Sequence, residues 1–228
     1  MQRLKTGVCL VVVTTLAFIC LGSGCASTPK SLKDTGGDNL QQCPKDLILE
    51  TGEQSVVLSS IESDLLFDAF YFLLEKDTGA KYLMELKSRK MGMPTRDAIS
   101  TGRFRAKAYC YVISPGNYHI SKIIGIMWMT GSGATSSEKS VEFKHQREFI
   151  VPPNKVTYLG RYLLLDPRMK DKGYFGRMGQ MMGGMFTGSV LPKDIVINTV
   201  DGIDEDLAWL LDEQKNLKTE QVVNTIRQ

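Results

Sequence analysis

Short segments with strand-like alternation, separated by turn residues, constrain the fold of this chain more than any other feature of its sequence. Apolar and polar side chains alternate over residues 103–113, which is the period of a strand with one buried face. A turn is predicted over residues 114–117, because Pro115 fixes φ and Gly116 permits a positive φ. Residues 118–129 are then predicted to return as the next strand.

The same signals recur between residues 47 and 200. Residues 64–74 are apolar on both faces and predict a buried strand, and a turn at residues 77–79 joins it to the alternating segment Lys81–Lys87 as a hairpin. Further strands are predicted at residues 55–60, 141–151, 156–165 and 194–200. About seven strands follow one another at short spacing, without alternation of strand and helix. We therefore predict a mainly β chain, an antiparallel β-sandwich over residues 47–200.

The C-terminal segment, residues 201–228, changes to a helical period. Apolar residues recur on one helical face at Ile203, Leu207, Leu210 and Leu211. Asp201 or Asp204 can cap this helix, and the acidic run 204–206 suits the positive end of its dipole better than it suits a cation site. A second short helix is predicted from Thr219. This short helical tail either packs on the sandwich or binds a partner.

Residues 1–24 have the pattern of an export signal. Arg3 and Lys5 precede an apolar run over residues 8–21. The run is shorter than the roughly 20 apolar residues that a transmembrane helix needs. Small residues then lead to Cys25, as they do before a signal cleavage site.

The segment around Cys25 resembles the signal of bacterial lipoproteins, in which a small residue precedes a cysteine that is acylated and becomes the mature N-terminus. Ser23 and Gly24 fit this pattern. The resemblance implies a lipidated Cys25 that anchors the protein in a membrane through several acyl chains. Ala26, where aspartate would favour the inner membrane, implies the outer membrane, with the domain facing the periplasm. Cleavage without acylation and an uncleaved anchor are the alternatives.

Residues 25–46 are predicted to hold the lipidated cysteine and a flexible tether, because residues 26–42 are polar and contain almost no large apolar residue. The whole chain has 228 residues and a net charge of +3, and removal of the signal leaves 204 residues with a net charge of +1. This balance gives no electrostatic footprint for nucleic acid. The lipid alone is therefore expected to hold the domain at its membrane.

Two cysteines, Cys43 and Cys110, are left in the exported chain once Cys25 is acylated. Disulfides persist in the oxidising space outside the cytoplasm, so these two residues can form a bridge. Alternatively, Cys110 is a buried free thiol on the apolar face of its strand. The sequence leaves both open.

Motifs for catalysis are absent from the sequence, which contains no Gly-x-Ser-x-Gly, no P-loop and no His-Glu-x-x-His. The two histidines, His119 and His145, lie in strand patterns and are interpreted as ordinary strand residues. We predict no catalytic residue, no cofactor and no metal site, and we expect that the chain is not an enzyme.

A glycine- and methionine-rich loop is predicted at residues 167–193. The large apolar residues of its segment 173–188 are Tyr174, Phe175, Met178, Met181, Met182, Met185 and Phe186. Methionine makes adaptable contact surfaces, so these residues are candidates for contact with a partner or with lipid. A mobile apolar loop is the plainer interpretation, and thioether binding of Cu(I) is a third.

The β region is similar to transthyretin-like β-sandwich domains of bacterial lipoproteins. The similarity lies in residues 115–118, Pro-Gly-Asn-Tyr, and in Tyr158-Leu159-Gly160 after a polar turn. It implies a β-sandwich and carries no catalytic residue. The sequence therefore predicts a lipid-anchored, non-enzymatic binding or structural module with an envelope protein as its partner. The alternatives are an enzyme or enzyme accessory acting on envelope polymers, and copper binding.

Overall fold

The structure, a computed structural model, describes residues 30–49, 52–65, 67–87, 104–105, 108–130, 136–169, 176, 179 and 195–226. The chain is mainly β, as predicted. Its strands are β1 (Asp38–Asn39), β2 (Gln41–Gln42), β3 (Ser55–Ser63), β4 (Ala69–Lys76), β5 (Lys81–Lys87), β6 (Phe104–Arg105), β7 (Tyr109–Ile113), β8 (Gly116–Thr130), β9 (Ser136–Val151), β10 (Val156–Leu165), β11 (Val196–Val200) and β12 (Val222–Asn224). Helix α1 (Lys30–Lys33) precedes the strands, and helix α2 (Ile203–Glu213) lies between β11 and β12. Within these described ranges, no helix is long and apolar enough to cross a membrane.

The strands form two sheets. The first sheet has the order β1-β5-β4-β8-β9, and the second has the order β11-β10-β3-β7-β2, with β12 beside β10 and β6 beside β3. The predicted hairpin of β4 and β5 is present, with Phe72 opposite Met84. The turn after β7 does not make a hairpin, because β7 pairs with β3 and β2 while β8 pairs with β4 and β9. This turn instead carries the chain from the second sheet to the first.

The predicted all-antiparallel pairing is wrong, because both sheets are mixed. Strand β10 runs parallel to β3, with Val156 opposite Val56, and β1 runs parallel to β5. Short turns in a sequence indicate only the antiparallel neighbours that they join. The β3–β10 pair is formed by segments about a hundred residues apart, so no local signal reports its direction.

A shared core fills the space between the two sheets. Phe70, Phe72 and Ile123 reach it from the first sheet, and Val57 and Tyr162 reach it from the second. The rings of Phe72 and Tyr162 meet edge to face, with 4.6 Å between their centroids. Burial of this apolar area is the main force that holds the sheets together.

Strand β7 has two buried faces, although the sequence predicts one. Tyr111 lies in the shared core, while Cys110 lies in a second cluster on the outer face of the second sheet. Helix α2 closes that cluster with Leu210, which is fully buried. Because α2 covers this sheet, its central strands carry apolar side chains on both faces.

The N-terminal strap, which we define as residues 30–49, takes in most of the tether predicted at residues 25–46 and is folded onto the sheets, whereas residues 25–29 lie outside the described ranges. Leu32 is buried against the outer face of the first sheet. Strand β1 then pairs with β5 in the first sheet, and β2 pairs with β7 in the second. Because a few buried apolar contacts and two backbone pairings fix it, a polar segment becomes part of the fold.

The C-terminal tail is only partly helical. Helix α2 packs on the second sheet, which favours the packed interpretation of this helix. The second helix predicted from Thr219 is wrong: a single 3-10 turn, Thr219–Gln221, leads into strand β12. Val222 and Val223 are β-branched, which suits a strand, and they pair in parallel with Val156 and Thr157 of β10.

Candidate functional site

Cys43 and Cys110 are joined by a disulfide, with their Cα atoms 5.4 Å apart. The structure thereby decides between the bridge and the free thiol that the sequence left open. The bond attaches the end of β2 to β7, and the backbone N–H of Cys43 also donates to the carbonyl of Cys110 over 3.0 Å. The disulfide therefore fixes the N-terminal strap to the second sheet.

The remaining predicted site residues lie outside the described ranges. This holds for the predicted lipidation site, Cys25, and for the candidate partner or lipid contacts Tyr174, Phe175, Met178, Met181, Met182, Met185 and Phe186. Of the two histidines, His119 lies 3.9 Å from Glu75 on the surface of the first sheet. His145 lies between the sheets, where its ring meets Tyr162 edge to face.

A buried polar cluster, which we call the Asp206 cluster, joins α2 to the second sheet. Asp206 is 4% exposed. Its Oδ2 accepts hydrogen bonds from Ser60 Oγ over 2.5 Å and from Tyr158 OH over 2.8 Å, and its Oδ1 accepts from Arg161 Nη2 over 2.8 Å. Both carboxylate oxygens are thus used by buried donors, as a charge in the interior requires.

A β-bulge brings Tyr158 and Arg161 to the same face of β10. Residues three apart on a regular strand point to opposite faces. The pairing of β10 with β3 shifts its register between these two residues, and Gly160 lies there at φ +97°. Such a φ favours glycine, and a bulge re-aims the side chain that follows it. The bulge therefore creates the Asp206 cluster.

The cluster raises the pKa of two of its members. Burial, and then the hydrogen bond to Asp206, raises the pKa of the Tyr158 hydroxyl well above its usual range. Burial alone would lower the pKa of the Arg161 guanidinium, but its bonds to Asp206 and Glu205 raise it. Tyr158 therefore stays protonated and Arg161 stays charged at neutral pH. Their hydrogen bonds to Asp206 hold α2 on the second sheet.

A second polar cluster lies between the sheets at β9. Arg147 donates to Tyr162 OH over 3.1 Å and to Thr225 Oγ1 over 3.0 Å, so it links the first sheet to the C-terminal tail. Its neighbour His145 is half-buried, and its buried Nε2 has no hydrogen-bond partner within the described ranges. Burial, together with the charge of Arg147, lowers the pKa of His145. The imidazole is therefore neutral at neutral pH.

A third polar cluster lies in the second sheet, where strand β10 ends. The backbone N–H of Asp166 donates to Asp64 Oδ1 over 2.8 Å, and both residues are buried. Arg168 binds the carboxylate of Asp166 through Nε and Nη2, over 2.9 Å and 2.6 Å. This arrangement fixes the chain where β10 ends. Across the described residues, no group of three His, Cys, Asp or Glu side chains is placed to hold a metal ion.

Sequence reasoning missed all three clusters, and the reasons differ for the first two. Asp206 belongs to an acidic run that the positive end of the helix dipole accounts for, and nothing local shows that a bulge will bring Arg161 to it. The second cluster did leave a signal. His145 and Arg147 interrupt the apolar face of the alternation over residues 141–151, and a polar residue on a buried face requires a partner.

Comparisons with known proteins add little to this geometry. No family model matches the chain, and no curated protein matches it. Among solved structures, a leucine-rich repeat protein from Bacteroides thetaiotaomicron is similar at 11% sequence identity and a TM-score of 0.29. The match covers 49% of this chain and 14% of that chain, so this chain spans a small part of that protein's length. A similarity this low carries no argument about fold or function.

Proposed function

We propose that this chain is a lipid-anchored envelope protein that faces the periplasm, held at the outer membrane by acyl chains on Cys25. Its domain serves as a non-enzymatic binding or structural module with an envelope protein as partner. The observation that carries the proposal is the disulfide between Cys43 and Cys110. Structural disulfides belong to oxidising compartments, which agrees with an export signal at residues 1–24.

The architecture that we propose for the module is a β-sandwich. The shared core draws on both sheets, which is the arrangement of a sandwich. Helix α2 packs on the outer face of the second sheet, and Leu32 covers part of the outer face of the first. The outward side chains of β9 at residues 142, 144, 146, 148 and 150 are exposed, so this strip of the first sheet is open to a partner.

The internal use of polar groups supports a binding or structural module over an enzyme. The donors and acceptors of the Asp206 cluster bind one another, and the cluster is buried under α2. Arg147 likewise donates hydrogen bonds to Tyr162 and Thr225 inside the domain. Groups arranged in this way stabilise a scaffold, whereas catalytic groups face the place where a substrate binds.

Mass spectrometry of the native protein, extracted from membranes without reducing agent, tests the proposal. We expect the mature N-terminus at Cys25 with the added mass of acyl chains, and a mass two hydrogens lower than that of the reduced chain. An intact residue 1, or an unmodified Cys25, would overturn the anchor. Crosslinking in cells, with the crosslinked protein then identified by mass spectrometry, tests whether a partner from the envelope binds.

A further inference from the structure

We infer that the domain is held in a fixed orientation, with the outer face of the first sheet, where Glu138 and Leu32 hold the strap, facing the lipid surface and α2 directed away from it. This inference rests on the proposed anchor at Cys25. It goes further by naming the face of the domain that contacts phospholipid headgroups.

The start of the N-terminal strap is attached to strand β9. The backbone N–H groups of Lys30 and Ser31 donate to the two carboxylate oxygens of Glu138, over 2.8 Å and 3.1 Å, and the hydroxyl of Ser31 also donates to Glu138. Burial alone would raise the pKa of Glu138, but these bonds from Ser31 and Lys30 lower it. Glu138 is therefore ionised at neutral pH and binds the first turn of the strap.

The rest of the strap prevents this attachment point from moving outward. Leu32 is 1% exposed against the outer face of the first sheet. The β1–β5 pairing and the disulfide of Cys43 follow. Lengthening the tether would require exposing Leu32 and separating β1 from β5, and the disulfide stops any further release.

The chain before the strap is short enough to keep the first turn of the strap close to the lipid surface. Five residue steps separate Cys25 from Lys30. A chain extends by at most about 3.6 Å per residue, so these two Cα atoms lie within about 18 Å of each other. A free linker of about 17 residues would instead span roughly 20–25 Å as a coil and could point in any direction.

Two lysines on this side can contact phosphate headgroups. Lys30 and Lys33 are exposed, and the acidic residues beside them are the exposed Asp34 and the strap-bound Glu138. Lysines near an anionic membrane surface attract its headgroups, so these two assist the lipid without replacing it. On the far side, the second sheet and α2 add two layers at a spacing of about 10 Å per sheet.

The two tryptophans of the chain report on the two sides. Trp128 occupies the register position opposite Glu138, and Trp209 lies on α2. The probe is the chain of residues 25–228, coupled through the Cys25 thiol to a maleimide phospholipid. It is placed in phosphatidylethanolamine–phosphatidylglycerol vesicles that contain a dansyl headgroup lipid. The anchor is then present whether or not the cell acylates Cys25, so a failure here is separate from a failure of the proposed function.

Energy transfer to the dansyl lipid is measured in Trp209→Phe, which leaves Trp128, and in Trp128→Phe, which leaves Trp209. We expect transfer from Trp128 to exceed transfer from Trp209 by about twofold or more, because two layers of about 10 Å separate them. Equal transfer, or greater transfer from Trp209, would overturn the inference. Hydrogen exchange of the unsubstituted chain gives a second readout, with protection on vesicles expected at residues 136–142 and not at α2.

Two kinds of variant test whether the attached strap and the short chain before it cause the difference in energy transfer. Glu138→Ala should reduce the difference in energy transfer between Trp128 and Trp209, whereas Glu142→Ala should leave this difference unchanged. Glu142 lies on the same strand but binds Lys122 and not the strap. Inserting about 20 Gly and Ser residues after Ala26 adds roughly 25 Å of coil and should abolish the difference. A difference that survives this insertion contradicts the short tether as its cause.

Discussion

Arg161 and Asp206 form an ion pair between the second sheet and α2, with 2.8 Å between Nη2 and Oδ1. The same guanidinium nitrogen donates to Glu205 Oε2 over 3.1 Å. The two carboxylates differ in environment, because the side chain of Asp206 is 4% exposed and that of Glu205 is 62% exposed. Arg161 therefore has one buried and one exposed carboxylate partner on the same helix, and the energetic contributions of these two ion pairs can be compared directly.

We predict that Asp206→Ala lowers the free energy of unfolding by about 3–5 kcal/mol, because it leaves the buried charge of Arg161 without its main partner. Glu205→Ala should cost less than about 1 kcal/mol, because exposed ion pairs are weak. Urea unfolding of both variants, followed by circular dichroism, measures this. Equal losses in the two variants would contradict the importance that we assign to burial.

Removing the disulfide should destabilise the whole domain. Cys43 and Cys110 are 67 residues apart, and a loop of that length gives an entropic stabilisation of about 4 kcal/mol. We therefore expect the double variant Cys43→Ser and Cys110→Ser to unfold at lower urea concentration. Adding reducing agent should reproduce this effect in the original chain and leave the double variant unchanged. A midpoint that reductant does not move would show that the bond is not formed.

His145 should make stability depend on pH below neutrality. Burial and the charge of Arg147 lower its pKa in the folded state below the ordinary value. Between the folded pKa and about 6.5, the unfolded chain therefore binds more protons, and stability falls as the pH is lowered. The decrease in the free energy of unfolding from pH 7.5 to pH 5.5 should be smaller in His145→Phe than in the unsubstituted chain. Identical decreases would assign the pH dependence to other groups.

Gly160 should tolerate no side chain. A Cβ atom at this position would lie 2.5 Å from Thr199 Cγ2 and 2.7 Å from Ile226 Cδ1. Gly79 provides a matched control, because it also has a positive φ, +86°, but has no atom within 4 Å of its Cβ position. We expect Gly160→Ala to cost about 1–3 kcal/mol more than Gly79→Ala in urea unfolding, through overpacking alone. Equal costs would mean that backbone strain accounts for the whole effect.

Local patterns in the sequence predicted the features that depend on neighbouring residues. The mainly β character, the β4–β5 hairpin and α2 follow from period and turn chemistry. Features that depend on distant segments were not predictable. The parallel pairing of β3 with β10 and the contact of Arg161 with Asp206 join residues from 45 to about 100 positions apart.

The N-terminal strap shows a different limit. Its composition is that of a linker, and Leu32 is the one large apolar residue in its first eight positions. A single buried leucine, two short pairings and a disulfide are enough to order such a segment, and no composition rule weighs contacts of this kind.

The parallel pairing of β3 with β10 also governs the order in which the molecule assembles. Strand β3 lies at the centre of the second sheet, yet its partner Val156 is a hundred residues further along the chain from Val56. Long loops must close before such contacts form, which makes folding slow. In the first sheet, β5 pairs with β4, β4 with β8 and β8 with β9, and all of these pairs are antiparallel. This sheet can form earlier, and its inner face is then one side of the core. The second sheet then completes on it only after the chain has been synthesised as far as β10, which ends at Leu165.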